Sequence, residues 1–334
     1  MASPGDRFPA FVVRAAGEAR TALLEELSGA DLPPLEVTIE VAYSSLNYKD
    51  ALAVTGKGKV LRRLPMVPGI DLAGTVVESA SPDVEPGAAV LVTGWGIGEE
   101  QFGGFAGRAR VRSEWVVPIP PGYTPRQAMA VGTAGFTAML CAAALEESGL
   151  GPGPKEVLVT GAAGGVGSLA VLLLSRMGYR VAAATGRPQE RPYLERLGAT
   201  RVLERAVLSA DSGRPLDREA WAGAVDTVGG KVLANVLKQV AYGGAVAACG
   251  LAGGSDLPTS VLPFILRGIS LLGIESGRCP RDRRRAAWAR IRELLSPTLL
   301  EELTTEIALS EVVPWSERIL AGEVRGRAVV DVRR

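Results

Sequence analysis

The sequence of 334 residues contains no histidine. Without imidazole, a Ser-His-Asp or Cys-His catalytic arrangement is excluded, and so is a zinc site of the usual mixed Cys/His kind. Cysteine is scarce as well. Cys141, Cys249 and Cys279 are an odd, widely spaced set, too few for a four-cysteine metal site and suited to reduced thiols. Proton transfer therefore falls to Tyr, Lys, Asp, Glu, Cys or solvent. An excess of one charge is also lacking: 37 Lys+Arg against 36 Asp+Glu leave a formal charge of +1, which gives no general reason to expect nucleic acid or an anionic membrane as partner. The opening MASPGDRFPA has no apolar signal-peptide core, and the aliphatic run Leu169–Leu174 is far too short to span a bilayer. The expected location is the cytoplasm. What remains, 47% hydrophobic and 22% charged residues, describes a globular chain long enough for two domains.

The most informative stretch is KEVLVTGAAGGVGSLAVLLLSRMGYRVAAATGR (155–187). Val157-Leu158-Val159 is a short apolar run of the kind a parallel sheet buries on both faces, and Ser168 to Met177 is a run of good helix formers. Between them Gly161, Gly164, Gly165 and Gly167 form a GxxGxxG variant of the dinucleotide fingerprint. Glycine there lets the backbone turn sharply, approach a pyrophosphate and pack the helix against the sheet, while the helix amino terminus offers N–H groups to phosphate. A second strand, Arg180 to Ala184, ends where such folds place the residue that meets the adenosine ribose. An acidic residue there would favour NAD; Thr185-Gly186-Arg187 instead suits a 2′-phosphate, bound by a hydroxyl and a guanidinium. The cofactor expected is NADPH.

Residues 8–120 hold short strand candidates at Glu36–Ala42, Gly74–Ser79, Ala89–Thr93 and Arg108–Arg112, a spacing that suggests a small barrel-like β domain ended by Pro120-Pro121-Gly122. SSLNYKDALAVTGKGKV (44–60) interrupts it with a helix-like turn. Asn47, Tyr48, Lys49 and Asp50 there suit a solvated turn, or a pair, Asn47 and Tyr48, that faces the nicotinamide. Asp71, entering the strand after Pro68-Gly69, reads as a turn cap. From Tyr123 the pattern becomes alternating helices and strands: a long helix over 132–149, the glycine-loop unit, a helix near Pro192–Leu197, and strands at Arg201–Leu203, Ala224–Gly229, Gly244–Cys249 and Ser270–Glu275. That alternation predicts a doubly wound parallel sheet with ligands at the carboxyl ends of its strands, where Gly250, Leu251 and Ser276 fall. Residues 278–292 carry seven arginines against Asp282, consistent with a solvated amphipathic helix or with an anion site for a phosphorylated substrate handle such as coenzyme A. The tail from Glu306 to Val332 reads as short strands rejoining the β domain.

With SLNYKDA (45–51), PGIDLAGTV (68–76), GTAGFTAML (132–140), GAAGGVG (161–167), ATGR (184–187), DTVGG (226–230) and GRAVVDV (326–332) in order, the chain resembles the medium-chain dehydrogenase/reductase superfamily over nearly its whole length. It is most similar to the zinc-independent quinone-oxidoreductase branch, and within it to the NADPH-dependent acryloyl-CoA reductases. The resemblance implies a Rossmann doubly wound parallel sheet (123–290, its end lying somewhere in 258–290) inserted into a GroES-like β-barrel domain (1–122 and 291–334). It implies Tyr48 beside the nicotinamide, the backbone of Ala163, Gly164, Gly165 and Val166 on the pyrophosphate, Thr185, Gly186 and Arg187 on the 2′-phosphate with help from Arg205, and Leu251, Ser276 and Arg327 near the nicotinamide end. Ile70-Asp71 stands where the zinc-using branch has His-Glu, in keeping with a metal-free site. Lys57 and Lys59 stand where some enoyl reductases place a proton-donating tyrosine.

The reaction these readings imply is hydride transfer from NADPH to the β-carbon of a small α,β-unsaturated acyl-CoA, acryloyl-CoA to propionyl-CoA, with Asn47 and Tyr48 as candidate catalytic residues. Reduction of a free quinone or enone is the alternative, and an NADPH-binding sensor or structural protein the non-enzymatic one. A homodimer is expected from the exposed sheet edge at Ser270–Glu275.

Overall fold

Apolar residues in alternation, Val37, Ile39 and Val41 among them, and aliphatic helix formers around the glycine loop divide the chain into an antiparallel β part and an α/β part. The computed structural model describes residues 7–16, 19–210 and 212–334 and separates into two units, Met1–Thr133 with Gly277–Arg334 and Ala134–Ser276. In chain order the first unit supplies β1 (Arg7–Ala16), β2 (Ala19–Ser28), β3 (Val37–Leu46), α1 (Tyr48–Thr55), β4 (Asp71–Ser79), β5 (Ala89–Thr93), β6 (Arg108–Val111) and β7 (Val117–Pro118). Helix α2 (Pro125–Glu147) begins in this unit and continues into the next, with a break at Gly132 (φ 49°, ψ −158°). The second unit holds β8 (Val157–Val159), α3 (Gly165–Arg176), β9 (Val181–Thr185), α4 (Arg191–Arg196), β10 (Ala199–Glu204), α5 (Arg205–Ser209), β11 (Trp221–Asp226), α6 (Gly230–Gln239), β12 (Val240–Ala248), α7 (Leu262–Arg267) and β13 (Ser270–Gly273). The chain returns to the first unit with α8 (Arg281–Leu294), α9 (Pro297–Glu302), β14 (Thr304–Ala308), α10 (Val312–Leu320) and β15 (Arg327–Asp331).

In the first unit a seven-stranded sheet runs β14-β15-β3-β4-β5-β7, with β6 also paired to β3, and β1 and β2 form a separate antiparallel pair. The core it closes around includes Ile39, Leu46, Met66, Leu72, Ile97 and Phe105. Register matters for the site. Antiparallel pairing of β15 with β3 sets Ala328 against Leu46 and Val329 against Ser45, which carries Arg327 to the Ser45–Asn47 end of β3.

The second unit is a six-stranded parallel sheet in the order β10-β9-β8-β11-β12-β13, so the direction of strand addition reverses between β8 and β11. That switch point leaves a crevice at the carboxyl ends of the strands, where open α/β sheets take their ligands. The two strands flanking it are tied together. Buried Asp226 accepts from Thr160 Oγ1 (2.6 Å) and from the Gly229 N–H (2.7 Å), and Thr227 Oγ1 donates to the Thr160 carbonyl (2.9 Å). Burial raises the Asp226 pKa from the ordinary carboxylate value.

Three features depart from the sequence expectation. The first junction, expected at 122/123, falls at 133/134, whereas the second, at 276/277, lies inside the expected 258–290. The arginine-rich α8 lies in the first unit because Arg284, 1% exposed, donates from Nη1 to the Thr93 carbonyl (2.8 Å) and hydroxyl (2.6 Å) and stacks 4.9 Å above Trp95. The tail contains a helix, α10, where short strands were expected: Val312, Ser316 and Ile319 recur at helical spacing, and α10 packs on α1. Finally, α2 is the chain's long apolar segment, sufficient by length and composition to cross a membrane, but its most apolar window is 89% buried inside the protein, the mark of a core helix.

Candidate active site

The glycine loop acts through backbone geometry. Gly161 has φ +60°, and a side chain there would collide with Thr227 Oγ1; one at Gly167 would collide with the Gly161 carbonyl. Gly164 is the N-cap of α3, and its N–H turns back to the Gly161 carbonyl at 2.9 Å. The first N–H groups of α3, beginning at Gly165 and Val166, have no carbonyl in the helix to bond and lie at the positive end of its dipole. This is a cradle built for phosphate oxygen. Fully buried Ala162 anchors it, donating to the Ala184 carbonyl of β9 at 3.0 Å.

At the carboxyl end of β9 a pocket of about 350 Å³ is lined by Thr185, Gly186, Pro188, Glu204, Arg205, Ala206 and Ser209. The Arg205 guanidinium overhangs Gly186 so closely that a Cβ on Gly186 would stand 3.1 Å from Cζ and 3.2 Å from Nη2. Arg187 is turned another way. Its Nη2 donates to the Ala163 carbonyl inside the phosphate loop (3.0 Å), its Nη1 lies 4.0 Å from Glu190, and its backbone N–H donates to Thr185 Oγ1 (3.1 Å). Of the two arginines expected around a 2′-phosphate, Arg205 lines this pocket and Arg187 braces the loop beside it. The carboxyl-end residues Leu251 and Ser276 differ in setting: Leu251 is 60% exposed, and Ser276 Oγ accepts from Thr137 Oγ1 at 2.8 Å.

The first unit carries a buried polar cluster. Asn47 caps α1, and Tyr48 is the first residue of that helix, its side chain 41% exposed. The Asn47 amide Nδ2 donates to Asp71 Oδ2 (2.9 Å) and Asp50 Oδ2 (3.1 Å), while its Oδ1 accepts from Arg327 Nη1 (3.2 Å). Asp71 Oδ2 also accepts from Ser45 Oγ (2.5 Å) and the Thr133 N–H (2.9 Å), and its Oδ1 from Thr133 Oγ1 (2.5 Å). Asp50 accepts the backbone N–H groups of Asn47 and Ile70, both at 2.9 Å. Arg327, 3% exposed, spends its remaining nitrogens on Ser45 Oγ (2.9 Å) and the Ala130 carbonyl (3.0 Å). The break in α2 makes room for all of this, since a Cβ on Gly132 would fall 2.7 Å from Asp71 Oδ2 and 3.0 Å from Arg327 Nη2.

Two carboxyl groups and one guanidinium share this dry space. Desolvation first, and the Asp71 charge second, push the Asp50 carboxyl up to about 7, and desolvation pulls Arg327 down from its usual value. A cluster that keeps one proton on Asp50 is close to neutral overall, the cheapest charge state for buried groups. Arg327 is thereby the brace of Asn47, and Asn47 fixes the start of the helix that presents Tyr48. Sequence reading singled out Asn47, Tyr48 and Arg327 but not Ser45, Asp50 or Thr133, and it read Asp71 as a turn cap. The Asn-x-x-Asp spacing of 47–50 and the Gly132-Thr133 pair were the available signals. The cysteines, widely spaced in sequence, partly converge: the Cys141 thiol hydrogen-bonds the Cys249 thiol, which with burial raises its pKa, and Cys249 Sγ lies 3.5 Å from the Asp226 carbonyl. All three cysteines are free thiols.

Residues 33–121 match the alcohol dehydrogenase GroES-like domain family and residues 165–293 the zinc-binding dehydrogenase family. Zinc does not suit the residues present. Among the described residues no group of three or more His, Cys, Asp and Glu could hold a metal ion, and the buried cluster places the cationic Arg327 guanidinium on Asn47, within the field of Asp50 and Asp71. The chain is 52% identical over 311 residues to the probable acrylyl-CoA reductase AcuI of Escherichia coli, covering 93% of this chain and 95% of that one. It is 44% identical to the putative quinone oxidoreductase YhfP of Bacillus subtilis, covering 92% of this chain and 93% of that one. The crystal structure of the yhdH oxidoreductase of Salmonella enterica, in complex with NADP, superposes with a TM-score of 0.94 at 51% identity, covering 97% of this chain and 99% of that one. The chain belongs to the medium-chain dehydrogenase/reductase superfamily, in its quinone-oxidoreductase branch.

Proposed function

We propose that the protein is an NADPH-dependent reductase of small α,β-unsaturated acyl-CoA thioesters, converting acryloyl-CoA to propionyl-CoA without a metal. The observation that carries this reading is the 52% identity, over 93% of the chain, to an acrylyl-CoA reductase. The site geometry supports the cofactor half. The glycine cradle fits a pyrophosphate, and a pocket overhung by Arg205 beside Thr185 and Gly186 fits a 2′-phosphate, β9 ending in Thr185 where an NAD-type site would hold an acid.

When bound, NADPH supplies hydride to the β-carbon of the enoyl thioester. In this proposal the backbone of Ala163, Gly164, Gly165 and Val166 holds the pyrophosphate, with the free N–H groups at Gly165 and Val166 as donors, Thr185, Gly186 and Arg205 hold the 2′-phosphate, and Arg187 keeps the loop in shape through Ala163. Leu251 and Ser276 line the nicotinamide end. Hydride addition at the β-carbon leaves an enolate, whose oxygen needs hydrogen-bond donors and whose α-carbon needs a proton. Tyr48 supplies the proton from its exposed phenol and is restored from solvent. Asn47 acts through position: with its amide held by Asp50, Asp71 and Ser45 and its carbonyl by Arg327, it holds the start of α1, and Arg327 contributes to the cofactor site through it. The protein acts in the cytoplasm as a homodimer. A second copy would cover the β13 edge, and in the segment just before it in the chain Val261, Ile265 and Leu266 stand 66%, 68% and 58% exposed.

The test is NADPH oxidation against acryloyl-CoA, crotonyl-CoA and a simple quinone. The reading expects the highest kcat/KM with acryloyl-CoA. Preference for the quinone would favour the second reading, for which the likeness to the putative quinone oxidoreductase stands, and binding of NADPH without turnover of any acceptor would favour a sensor or structural role.

A further inference from the structure

Resting on the enoyl-CoA reading, we propose that Lys57, Lys59, Arg62 and Arg63, on the loop at the carboxyl end of α1, form the subsite for the phosphates of the CoA handle. Four exposed cations stand within seven residues of that loop. Gly56, left-handed at φ 70°, ends α1 and turns the chain into it. The loop is held in place from the other side: the Arg62 N–H donates to the Glu99 carbonyl at 3.0 Å, Arg63 Nη2 donates to Gln101 Oε1 at 3.4 Å, and the Arg63 guanidinium lies 5.9 Å from the Phe102 ring centre. The segment that anchors the loop carries two acids, Glu99 and Glu100. Glu99 is engaged by Lys49 at 3.0 Å. The side chains of Lys57, Lys59 and Arg62 have no partner among the described residues, so a backbone-anchored loop presents cations that the protein itself does not neutralise.

Reach identifies the ligand. Tyr48 starts α1 and Thr55 ends it, a helix of 8 residues. At 1.5 Å per residue it measures about 12 Å from proposed catalytic tyrosine to basic loop. A pantetheine arm equals about four residues of extended chain, roughly 14 Å. A thioester held at Tyr48 therefore brings its diphosphate and 3′-phosphate to the loop, where lysine and arginine bind phosphate as point charge and planar fork. The arginine-rich 278–292 segment is a weaker candidate. Arg284 and Arg292 are spent on Thr93 and Pro121, and Arg278, Arg283 and Arg290 have partners of their own.

The test compares acryloyl-CoA with acryloyl-pantetheine, which lacks the nucleotide, in the parent protein and in the triple variant Lys57→Gln, Lys59→Gln, Arg62→Gln. Three exposed charge pairs at a few-fold each predict that the ratio of kcat/KM for the CoA thioester to that for the pantetheine thioester falls roughly tenfold, through KM. Adenosine 3′,5′-bisphosphate is expected to compete with acryloyl-CoA in the parent and to do so less well in the variant. An unchanged ratio with unchanged inhibition overturns the subsite while leaving the enoyl-CoA reading intact. A parent protein that reduces neither thioester overturns both.

Discussion

Replacing Arg205 with alanine should separate NADPH from NADH. The Arg205 guanidinium overhangs Gly186 at the carboxyl end of β9, in the pocket that also holds Thr185 and Ser209, and it faces one opposing acid there, Glu204. A charge-assisted hydrogen bond contributes about 1.5–3 kcal/mol, and the exposure of Arg205 sets its worth at the lower end, about 1.5–2 kcal/mol. That corresponds to a loss of roughly 10- to 30-fold in NADPH affinity. NADH, lacking the 2′-phosphate, should bind the variant as it binds the parent. Arg187→Ala makes the contrast, because Arg187 holds the Ala163 carbonyl in the pyrophosphate loop, so its loss should weaken both cofactors together. Titration of the emission of the reduced nicotinamide measures the affinity of both cofactors for the parent and each variant. If Arg205→Ala weakened NADH as much as NADPH, or left NADPH binding unchanged, the assignment of this pocket to the 2′-phosphate would fail.

Two further expectations concern the buried cluster and the tyrosine it supports. Asp50 has its carboxyl raised to about 7, above the ordinary unfolded value near 3.9, so its protonated form adds stability that is complete below about pH 4 and is lost as pH rises through about 7. Between pH 5 and pH 8 this amounts to roughly 2–3 kcal/mol. Asp50→Asn should lower stability by a constant offset, because an amide cannot accept from Asn47 and Ile70 at once, yet should flatten the decline with pH in urea unfolding; parallel pH profiles would mean that Asp50 is ionised beside Arg327 throughout. Tyr48→Phe should reduce kcat for acryloyl-CoA about 100-fold with little change in KM if the phenol donates the proton. A full rate would make Tyr48 a packing residue.

Local chemistry was readable from sequence wherever neighbouring residues act together. The run Val157–Val159, the glycines from Gly161 to Gly167 and the strand ending at Thr185 lie within one continuous segment, and the backbone follows from them directly. The buried cluster was not readable in the same way. Its members come from β3, α1, β4, the break in α2 and β15, and they meet because β15 pairs with β3 at Val329 and Ser45. No local pattern announces that register. Asp50 looked like one polar residue among four on a turn, and its raised pKa arises from burial that a sequence does not display. The arginine-rich 278–292 segment was half legible: its reading as an amphipathic helix with a solvated face matches α8, which buries Arg284, Ala287, Trp288 and Ile291 at helical spacing, but that one of its arginines would stack on Trp95 and join the structure of the first unit is not written in a run of like charges.

The most direct measurement follows the hydride. The protein should be incubated with acryloyl-CoA and NADPH carrying deuterium at the transferable position, and in a parallel reaction with unlabelled NADPH in heavy water. The account predicts propionyl-CoA with the cofactor's deuterium at the β-carbon and the solvent's deuterium at the α-carbon. Label missing from the β-carbon, or cofactor oxidised with acryloyl-CoA left unreduced, would contradict it.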